Sequence, residues 1–208
     1  MTIAIVDYGM GNVRSLMNAF QFIGEDAIVT CDVGELEDAD RLVLPGVGAF
    51  GDAMAAIRAT GLQEPLTRLA MEEKKPVLGV CLGMQLFAKS SREHGNHEGL
   101  SWLDAEVVPL EVEAPAKVPH VGWNGLSFDS DDWLFEDIPA KQTDFYFVHS
   151  FHMVCRDPAD VVATSDHGGQ ITAVVRRDNL VAAQFHPEKS QDNGLQMLQN
   201  WMAHDFAC

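Results

Sequence analysis

Apolar positions divide the chain into two halves of different character. In the first 90 residues, short apolar runs alternate with segments in which apolar residues recur every three or four positions. The runs, typical of buried strands, cover residues 2–7, 26–30, 41–45 and 76–80, and the helical segments cover residues 13–23, 50–59 and 62–73. Because strands that alternate with helices usually pair in parallel, this half predicts an α/β fold.

The second half predicts many strands with few helices between them. The strands cover residues 103–112, 121–128, 144–149, 161–165, 171–176 and 180–185, and a final helix covers about 193–206. Residues 88–99 are polar and predict a helix end with a loop, and the acidic segment 129–137 predicts a solvated surface. We therefore expect one domain over residues 1–208, with a mainly parallel central sheet flanked by helices and an added antiparallel region.

The charge balance is strongly acidic. Lys and Arg total 14 against 31 Asp and Glu, which gives a net charge of −17. Such a surface favours solubility and repels nucleic acid and anionic membranes. The chain shows no apolar run near the ~20 residues that span a bilayer, and its N-terminus has no signal-peptide pattern. We expect a cytoplasmic protein that binds neither nucleic acid nor membrane.

The cysteines and histidines do not form a metal-binding pattern. The four cysteines are Cys31, Cys81, Cys155 and Cys208, and no two form a C-x-x-C pair. The histidine pairs His94/His97 and His149/His152 have no convincing further ligands nearby in sequence. We expect no metal and no cofactor, so the question is whether one thiol is reactive.

Cys81 lies in a sequence typical of a nucleophile elbow. Gly79-Val80-Cys81-Leu82-Gly83 connects a predicted buried strand to a predicted helix. The two glycines leave room for a sharp turn, and the positive end of the following helix dipole favours a thiolate. The alternative is that Cys81 is a small buried apolar residue.

A general base and a group that orients it are predicted near the end of the chain. His186 follows the predicted strand 180–185 and so lies at a strand end, where α/β sheets build their sites. Glu188, two residues later, can accept a hydrogen bond from the imidazole and fix its tautomer. Cys81, His186 and Glu188 are therefore the predicted catalytic residues.

These residues resemble the triad of class I glutamine amidotransferases. Further segments narrow the resemblance to the glutaminase subunits of imidazole glycerol phosphate synthase, a histidine-biosynthesis enzyme. They are Asp7-Tyr8-Gly9-Met10-Gly11-Asn12, Leu44-Pro45-Gly46-Val47-Gly48, Val118-Pro119-His120-Val121-Gly122-Trp123-Asn124 and Phe145-Tyr146-Phe147-Val148-His149-Ser150-Phe151. The resemblance covers essentially the whole chain, and residues 88–99 align least securely.

The resemblance implies hydrolysis of L-glutamine through a thioester on Cys81. His186 would accept the thiol proton and pass it to departing ammonia. Backbone N–H groups of Leu82, Val47 and Gly48 would hold the oxyanion. The implied substrate-binding residues are Gln85, Glu93 for the α-amino group, and His149, Ser150 and Phe151 for the α-carboxylate. Each has an ordinary structural alternative, such as a solvated loop charge at Glu93.

The resemblance also implies a heterodimer with a cyclase subunit. That partner is a (β/α)₈ barrel, which binds the phosphorylated nucleotide and receives the ammonia. The acidic chain fits this division, since it has no phosphate-binding fingerprint. The residues expected at or beside the interface are Met10, Asn12, Pro119, Trp123, Asn124 and Lys189.

Three other functions remain open at this stage. A glutaminase could serve a different synthase, and the same fold could be a catalytically silent glutamine-binding regulator. A cysteine peptidase or chaperone of similar α/β build is the third. The intact Cys-His-Glu set argues against the silent regulator, and Gln85 with the late His-Pro-Glu argues against the peptidase.

Overall fold

The computed structural model describes residues 1–139 and 143–206, and within them it contains thirteen strands and six α-helices. The strands are β1 (Thr2–Val6), β2 (Asp26–Thr30), β3 (Arg41–Leu44), β4 (Val77–Val80), β5 (Ser90–Ser91), β6 (His97–Glu98), β7 (Ala105–Pro109), β8 (His120–Phe128), β9 (Asp144–His149), β10 (Phe151–Cys155), β11 (Val161–Asp166), β12 (Gln170–Arg177) and β13 (Leu180–Ala183). The helices are α1 (Val13–Phe22), α2 (Val33–Asp38), α3 (Phe50–Ala59), α4 (Gln63–Thr67), α5 (Leu82–Gln85) and α6 (Gln191–Ala203).

Nine strands form the main sheet in the order β2-β1-β3-β4-β13-β12-β11-β8-β9. The pairs from β2 to β13 are parallel, and those from β13 to β9 are antiparallel. The remaining four strands form a small sheet in the order β10-β7-β5-β6. The predicted α/β fold, a parallel sheet extended by antiparallel strands, is confirmed.

Each face of the main sheet buries its own apolar core. Successive residues of β1 point to opposite faces, so Ile3 and Ile5 join one core while Ala4 and Val6 join the other. Helices α1 and α6 cover the first core, and α3, α4 and the small sheet cover the second. The central parallel strands β3, β4 and β13 are thus protected from water on both sides, as expected for parallel strands. Within the described residues, no helix is long and apolar enough to cross a membrane.

The predicted elements are largely in place, with differences in several segments, including strand β10, which the sequence pattern did not predict. The sequence pattern missed α2, although Asp32 accepts a hydrogen bond from the N–H of Glu35 as an N-cap. Segment 88–99 contains the short strands β5 and β6 as well as turns. The acidic segment 129–137 is not wholly solvated, because Leu134 and Phe135 are buried in the core. Helix α6 begins and ends earlier than predicted, and the helix predicted over 62–73 continues beyond α4 as a π-helical segment, Arg68–Glu72.

Arg41 ties the C-terminal helix to the start of β3. The side chain is buried, and its two terminal nitrogens donate to the carbonyls of Trp201, Met202 and His204 at 2.8–3.1 Å. The guanidinium also lies 5.2 Å from the centre of the Trp201 ring. These carbonyls have no partner inside the helix, so a cation there satisfies them and complements the helix dipole.

We expect Arg41→Ala to lower the free energy of unfolding by about 2–4 kcal/mol, because it leaves several buried carbonyls unpaired. Denaturant-induced unfolding followed by circular dichroism measures the change. Arg58→Ala is the control, since the contacts of Arg58 are on the surface and its removal should change stability by about 0.5 kcal/mol or less. An Arg41 variant as stable as the Arg58 variant would show that the tether has no energetic importance.

Candidate active site

The site forms where the parallel strands β4 and β13 end side by side. Val80 pairs with Ala183, and the N–H of Cys81 extends this ladder by donating to the carbonyl of Ala183 at 2.8 Å. Residues 81 and 184–186 therefore leave the sheet at the same edge, although about a hundred positions separate them in the chain. This is the carboxyl edge of the parallel strands, where open α/β sheets bind ligands.

Cys81 has the strained backbone of a nucleophile elbow. Its φ of 55° and ψ of −112° lie far from strand or helix values, and α5 begins at the next residue. A Cβ atom at Gly83 would lie 1.8 Å from the carbonyl oxygen of Leu44, and one at Gly79 would lie 2.9 Å from the Cβ of Ala182. Both glycines are required, because the turn packs directly against neighbouring strands.

His186 and Glu188 form a buried hydrogen-bonded pair. The distance from His186 Nδ1 to Glu188 Oε1 is 2.8 Å, and both side chains are almost fully buried. A carboxylate accepts at Nδ1, so this nitrogen carries the proton. The Nδ2 of Asn12 also donates to Glu188 Oε1, at 3.5 Å, which places one predicted interface residue against the triad.

The thiol and carboxylate together change the proton affinity of His186. Burial alone would lower its pKa, but the close approach and charge of Cys81 and Glu188 outweigh burial and raise the pKa to about 9. The Nε2 atom is buried and forms no hydrogen bond of normal geometry within the described residues. The ring is thus near enough to Cys81 to sense its charge, without a formed hydrogen bond. Such contacts often tighten only when substrate binds.

Cys81 and His186 open onto a cavity of about 330 Å³. Its lining comprises Val47, Gly48, Cys81, Leu82, Gln85, Glu93, Pro119, Val148, His149, Ser150, Phe151, His186 and Lys189. All the predicted substrate-binding and oxyanion residues therefore line one cavity with the predicted nucleophile and base. A larger, more open depression of about 970 Å³ lies beside the 113–127 and 164–170 segments. The smaller cavity is the candidate site, because the predicted nucleophile Cys81 and the predicted base His186 line it.

Two predicted substrate residues have structural partners as well as access to the cavity. Glu93 Oε2 accepts the N–H of Phe50 at 2.6 Å, so this carboxylate also caps the start of α3. Gln85 is buried, and its Nε2 donates at 3.0 Å both to the carbonyl of Phe151 and to Oε1 of Gln184. In both cases the fold fixes the side chain before any substrate arrives.

The predicted oxyanion donors are not all free in this structure. Leu82 begins α5, and the first N–H groups of a helix have no partner within it. The N–H of Val47, in contrast, donates to the carbonyl of Met10 at 3.2 Å. Gly48 has a φ of 101°, a conformation that suits glycine. The 46–48 turn must therefore rearrange before Val47 can donate to a substrate.

The other predicted interface residues surround the mouth of this cavity or the strand beside it. Pro119 and Lys189 line the cavity, and Lys189 Nζ lies 6.0 Å from the centre of the Tyr146 ring. Trp123 is 48% exposed and packs edge-on against the same tyrosine. Asn124 instead turns inward, where its Nδ2 lies 3.2 Å from His120 Nε2 and donates to the carbonyl of Asp166.

The remaining cysteines lie away from this arrangement, and no metal cluster accompanies it. Cys31 is exposed and Cys155 half-buried, both as free thiols, while Cys208 lies outside the described residues. Burial raises the pKa of Cys155 to about 11, so it is a poor nucleophile near neutral pH. Among residues 1–139 and 143–206, no three His, Cys, Asp or Glu residues are grouped to hold a metal ion.

Comparison with known proteins agrees with this geometry. The family model "Glutamine amidotransferase class-I" matches residues 4–204. This chain belongs to the class I glutamine amidotransferase family. The match extends from β1 to the end of α6, so it includes every strand end that contributes to the cavity.

Curated relatives indicate which members of the family this chain resembles. The chain is 46% identical over 205 residues to imidazole glycerol phosphate synthase subunit HisH 2 of Nitrobacter winogradskyi, covering 96% of this chain and 97% of the relative. It is 45% identical over 202 residues to subunit HisH of Sulfurimonas denitrificans, covering 96% of each.

Solved structures of other amidotransferases share the fold at low sequence identity. PurLQS from Thermotoga maritima superposes with a TM-score of 0.73 at 20% identity, covering 97% of both chains. A further glutamine amidotransferase superposes with a TM-score of 0.70 at 21% identity, covering 96% of this chain and 99% of that one. These likenesses show the arrangement of strands and helices.

Sequence reasoning did not assign a role to two residues that lie close to the predicted catalytic and substrate-binding residues. Gln184 is fully buried, and its Nε2 lies 3.8 Å from the sulfur of Cys81. His120 Nδ1 lies 3.0 Å from His149 Nε2. A signal for Gln184 was present, since a lone polar residue interrupts the apolar run 180–185. The segment containing His120 was noted, but no local pattern indicated its contact with His149, because the two residues lie on different strands.

We expect Glu188→Gln to lower the pKa of His186 from about 9 toward the ordinary histidine value, because the carboxylate charge is removed. NMR titration of the His186 ring measures this shift. Glu64→Gln, on an exposed turn of α4, is the matched control and should leave the titration unchanged. A His186 titration that is identical in Glu188→Gln would contradict the assigned interaction.

The interaction between His186 and Glu188 should also contribute to the free energy of unfolding. A histidine pKa raised in the folded state stabilises the fold fully below the unfolded value of ~6.5, and this contribution disappears as pH rises through about 9. The free energy of unfolding should therefore contain a component that falls between these pH values. That component should be smaller in Glu188→Gln, as measured by denaturant unfolding at several pH values.

Proposed function

We propose that this protein is the glutaminase subunit of imidazole glycerol phosphate synthase. It hydrolyses L-glutamine to glutamate and ammonia and supplies the ammonia to a cyclase subunit in histidine biosynthesis, in the cytoplasm. The observation that carries the proposal is a Cys-His-Glu set in one cavity, in a chain 46% identical over nearly its whole length to a subunit of that synthase. Every chemical role below is assigned to residues already located in the structure.

The reaction begins with attack of the Cys81 sulfur on the side-chain amide carbon of glutamine. His186, held by Glu188, accepts the thiol proton and delivers it to the departing nitrogen, so ammonia leaves and a γ-glutamyl thioester remains on Cys81. Water then attacks the thioester with His186 as base, which releases glutamate and restores the thiol. A raised histidine pKa favours the thiolate–imidazolium form that starts this sequence.

Backbone N–H groups stabilise the oxyanion of each tetrahedral intermediate. Leu82 provides one donor at the start of α5, and the 46–48 turn provides the second once the Val47 N–H leaves the carbonyl of Met10. One such donor is typically worth ~10²–10³ in rate. Glutamine hydrolysis is therefore expected to depend on the state of this turn.

The two charged groups of the glutamine backbone are assigned to different residues of the cavity lining. Glu93 binds the α-amino group, because a cation needs an acidic partner and this carboxylate lines the cavity. Residues 149–151 bind the α-carboxylate through backbone and hydroxyl donors. Burial lowers the pKa of His149 to about 3, although its hydrogen bond to the carbonyl of Phe151 acts in the opposite direction, so this ring acts as a neutral group.

The cyclase partner is assigned to the exposed apolar surface around the cavity. Apolar side chains at Val47, Val118, Val121, Trp123 and Val148 are all more than a third exposed. Val47 and Val148 also line the cavity, so the patch is continuous with the site. Contiguous exposed apolar residues of this kind mark protein interfaces, and a partner placed here receives ammonia without its release to water.

We expect Cys81→Ala to abolish glutamine-dependent product formation by the reconstituted complex, while synthesis from added ammonium salt persists. The nucleophile would be lost, but the cyclase would still accept ammonia. Glutamate release and imidazole glycerol phosphate formation are measured with cyclase and nucleotide substrate present. Cys31→Ala, an exposed thiol, is the control and should retain both activities. Glutamine-dependent turnover in Cys81→Ala would refute the mechanism.

We expect Trp123→Asp to weaken cyclase binding at least tenfold, because it places a charge in an apolar interface where aromatic residues contribute strongly. Isothermal titration calorimetry with the purified cyclase measures the dissociation constant. Phe22→Asp, at another exposed aromatic residue on α1, is the matched control and should bind normally. Equal affinities for the two variants would place the interface elsewhere.

A further inference from the structure

Gln184 is a buried polar residue beside the reactive sulfur. It directly follows β13, and its backbone N–H extends the sheet by donating to the carbonyl of Ala173 at 2.8 Å. Its side chain is fully buried, and the amide nitrogen Nε2 lies 3.8 Å from the sulfur of Cys81. A sulfur acceptor makes longer hydrogen bonds than oxygen, and a buried amide with a partner at this distance is satisfied by it.

The orientation of this amide follows from its other neighbours. The carbonyl of Phe151 can only accept, so Gln85 must turn its Nε2 toward it, at 3.0 Å. The second hydrogen of that nitrogen reaches Gln184 at 3.0 Å and requires an acceptor there, which is Oε1. Gln184 Nε2 is then forced to face Cys81. A backbone oxygen therefore determines, through two side-chain amides, that N–H groups point at the sulfur.

His149 fixes the same carbonyl from the other side. Its Nδ1 lies 2.9 Å from the oxygen of Phe151, which again requires an N–H on that nitrogen. Its Nε2 is then an acceptor for His120 Nδ1 at 3.0 Å. Both lone pairs of the carbonyl are thus occupied by donors, and neither glutamine amide can reverse without leaving a buried donor or acceptor unpaired.

We propose that Gln184 stabilises the Cys81 thiolate by donating an N–H to the sulfur, and that Gln85 and the carbonyl of Phe151 hold it in that orientation. The inference rests on the proposed function, in which Cys81 is the nucleophile, and adds a residue to its mechanism. A donor directed at the charged form of a group stabilises that form. Gln85 acts on the sulfur through Gln184, as a positioning residue, in addition to its place in the substrate cavity.

Alkylation of the isolated chain tests the donor without glutamine or partner. The rate of iodoacetamide modification at Cys81, quantified by peptide mass spectrometry, is recorded from pH 5 to pH 9. Gln184→Met keeps the length of the side chain and removes the donor. Its profile should move to higher pH by about one unit, which corresponds to about tenfold slower modification on the rising limb. Gln196→Met, the same change on α6 where the amide contacts Asn200, should leave the profile in place.

Gln85→Glu tests the orientation separately. An ionised glutamate presents only oxygen acceptors to Gln184, so the amide of Gln184 should reverse and place its own oxygen against the sulfur. The alkylation profile should move to higher pH by more than in Gln184→Met. In the double variant Gln85→Glu/Gln184→Met, this additional shift should disappear, whereas a direct effect of the new charge would persist.

The outcomes separate this inference from the proposed function. An unchanged profile in folded Gln184→Met, with folding checked by thermal denaturation, overturns the donor role. Should Gln184→Met fail to fold, an unshifted profile in Gln85→Glu overturns the donor role instead. In a folded double variant, an additional shift that persists overturns the positioning role of Gln85. Failure of the glutaminase assay with cyclase, alongside the expected alkylation shifts, would remove the proposed function and leave the thiolate donor intact.

Discussion

The in-register parallel pairing of β4 with β13 is the constraint on which the site depends. Because Val80 lies opposite Ala183, the residues that follow each strand emerge together, and the N–H of Cys81 continues the ladder. A shift of one residue would turn every side chain of β13 to the other face of the sheet. Gln184 and His186 would then no longer lie beside the sulfur. The two apolar cores fix this register, since both strands are buried on both faces.

The buried histidines of this protein have pKa values that are shifted in opposite directions. Burial lowers the pKa of His120 to about 4, with a smaller contribution from the adjacent His167. His186 experiences the same desolvation, yet its pKa rises to about 9 because a carboxylate and a thiol face it. Burial leaves His120 and His149 as neutral rings that join a chain of hydrogen bonds, whereas the thiol and the carboxylate beside His186 outweigh the effect of its burial. The outcomes differ because His186 has acidic partners that favour the charged ring.

Much of the fold could be predicted from the sequence, and the three residues predicted as a triad lie together at one sheet edge. In the parallel half of the chain, apolar runs alternate with segments of clear helical periodicity. The glycines around Cys81 indicate a turn. Helix α2 was missed because its six residues include one buried position, Leu36, so it shows no periodicity. The amide pair Gln85–Gln184 and the hydrogen bond between Val47 and Met10 join distant segments. Such contacts depend on three-dimensional proximity, and no local pattern encodes them.

The tether at Arg41 holds the end of α6 away from the cavity. Strand β3 runs from Arg41 toward the turn at Pro45, so the guanidinium and the carbonyls it binds lie at the edge of the sheet opposite the cavity. Helix α6 leads away from His186 and ends there. A fluorophore attached near Asp205 would therefore report on the protein without obstructing the cavity mouth or the apolar patch around it. A surface linkage at the same place would immobilise the protein with the same advantage.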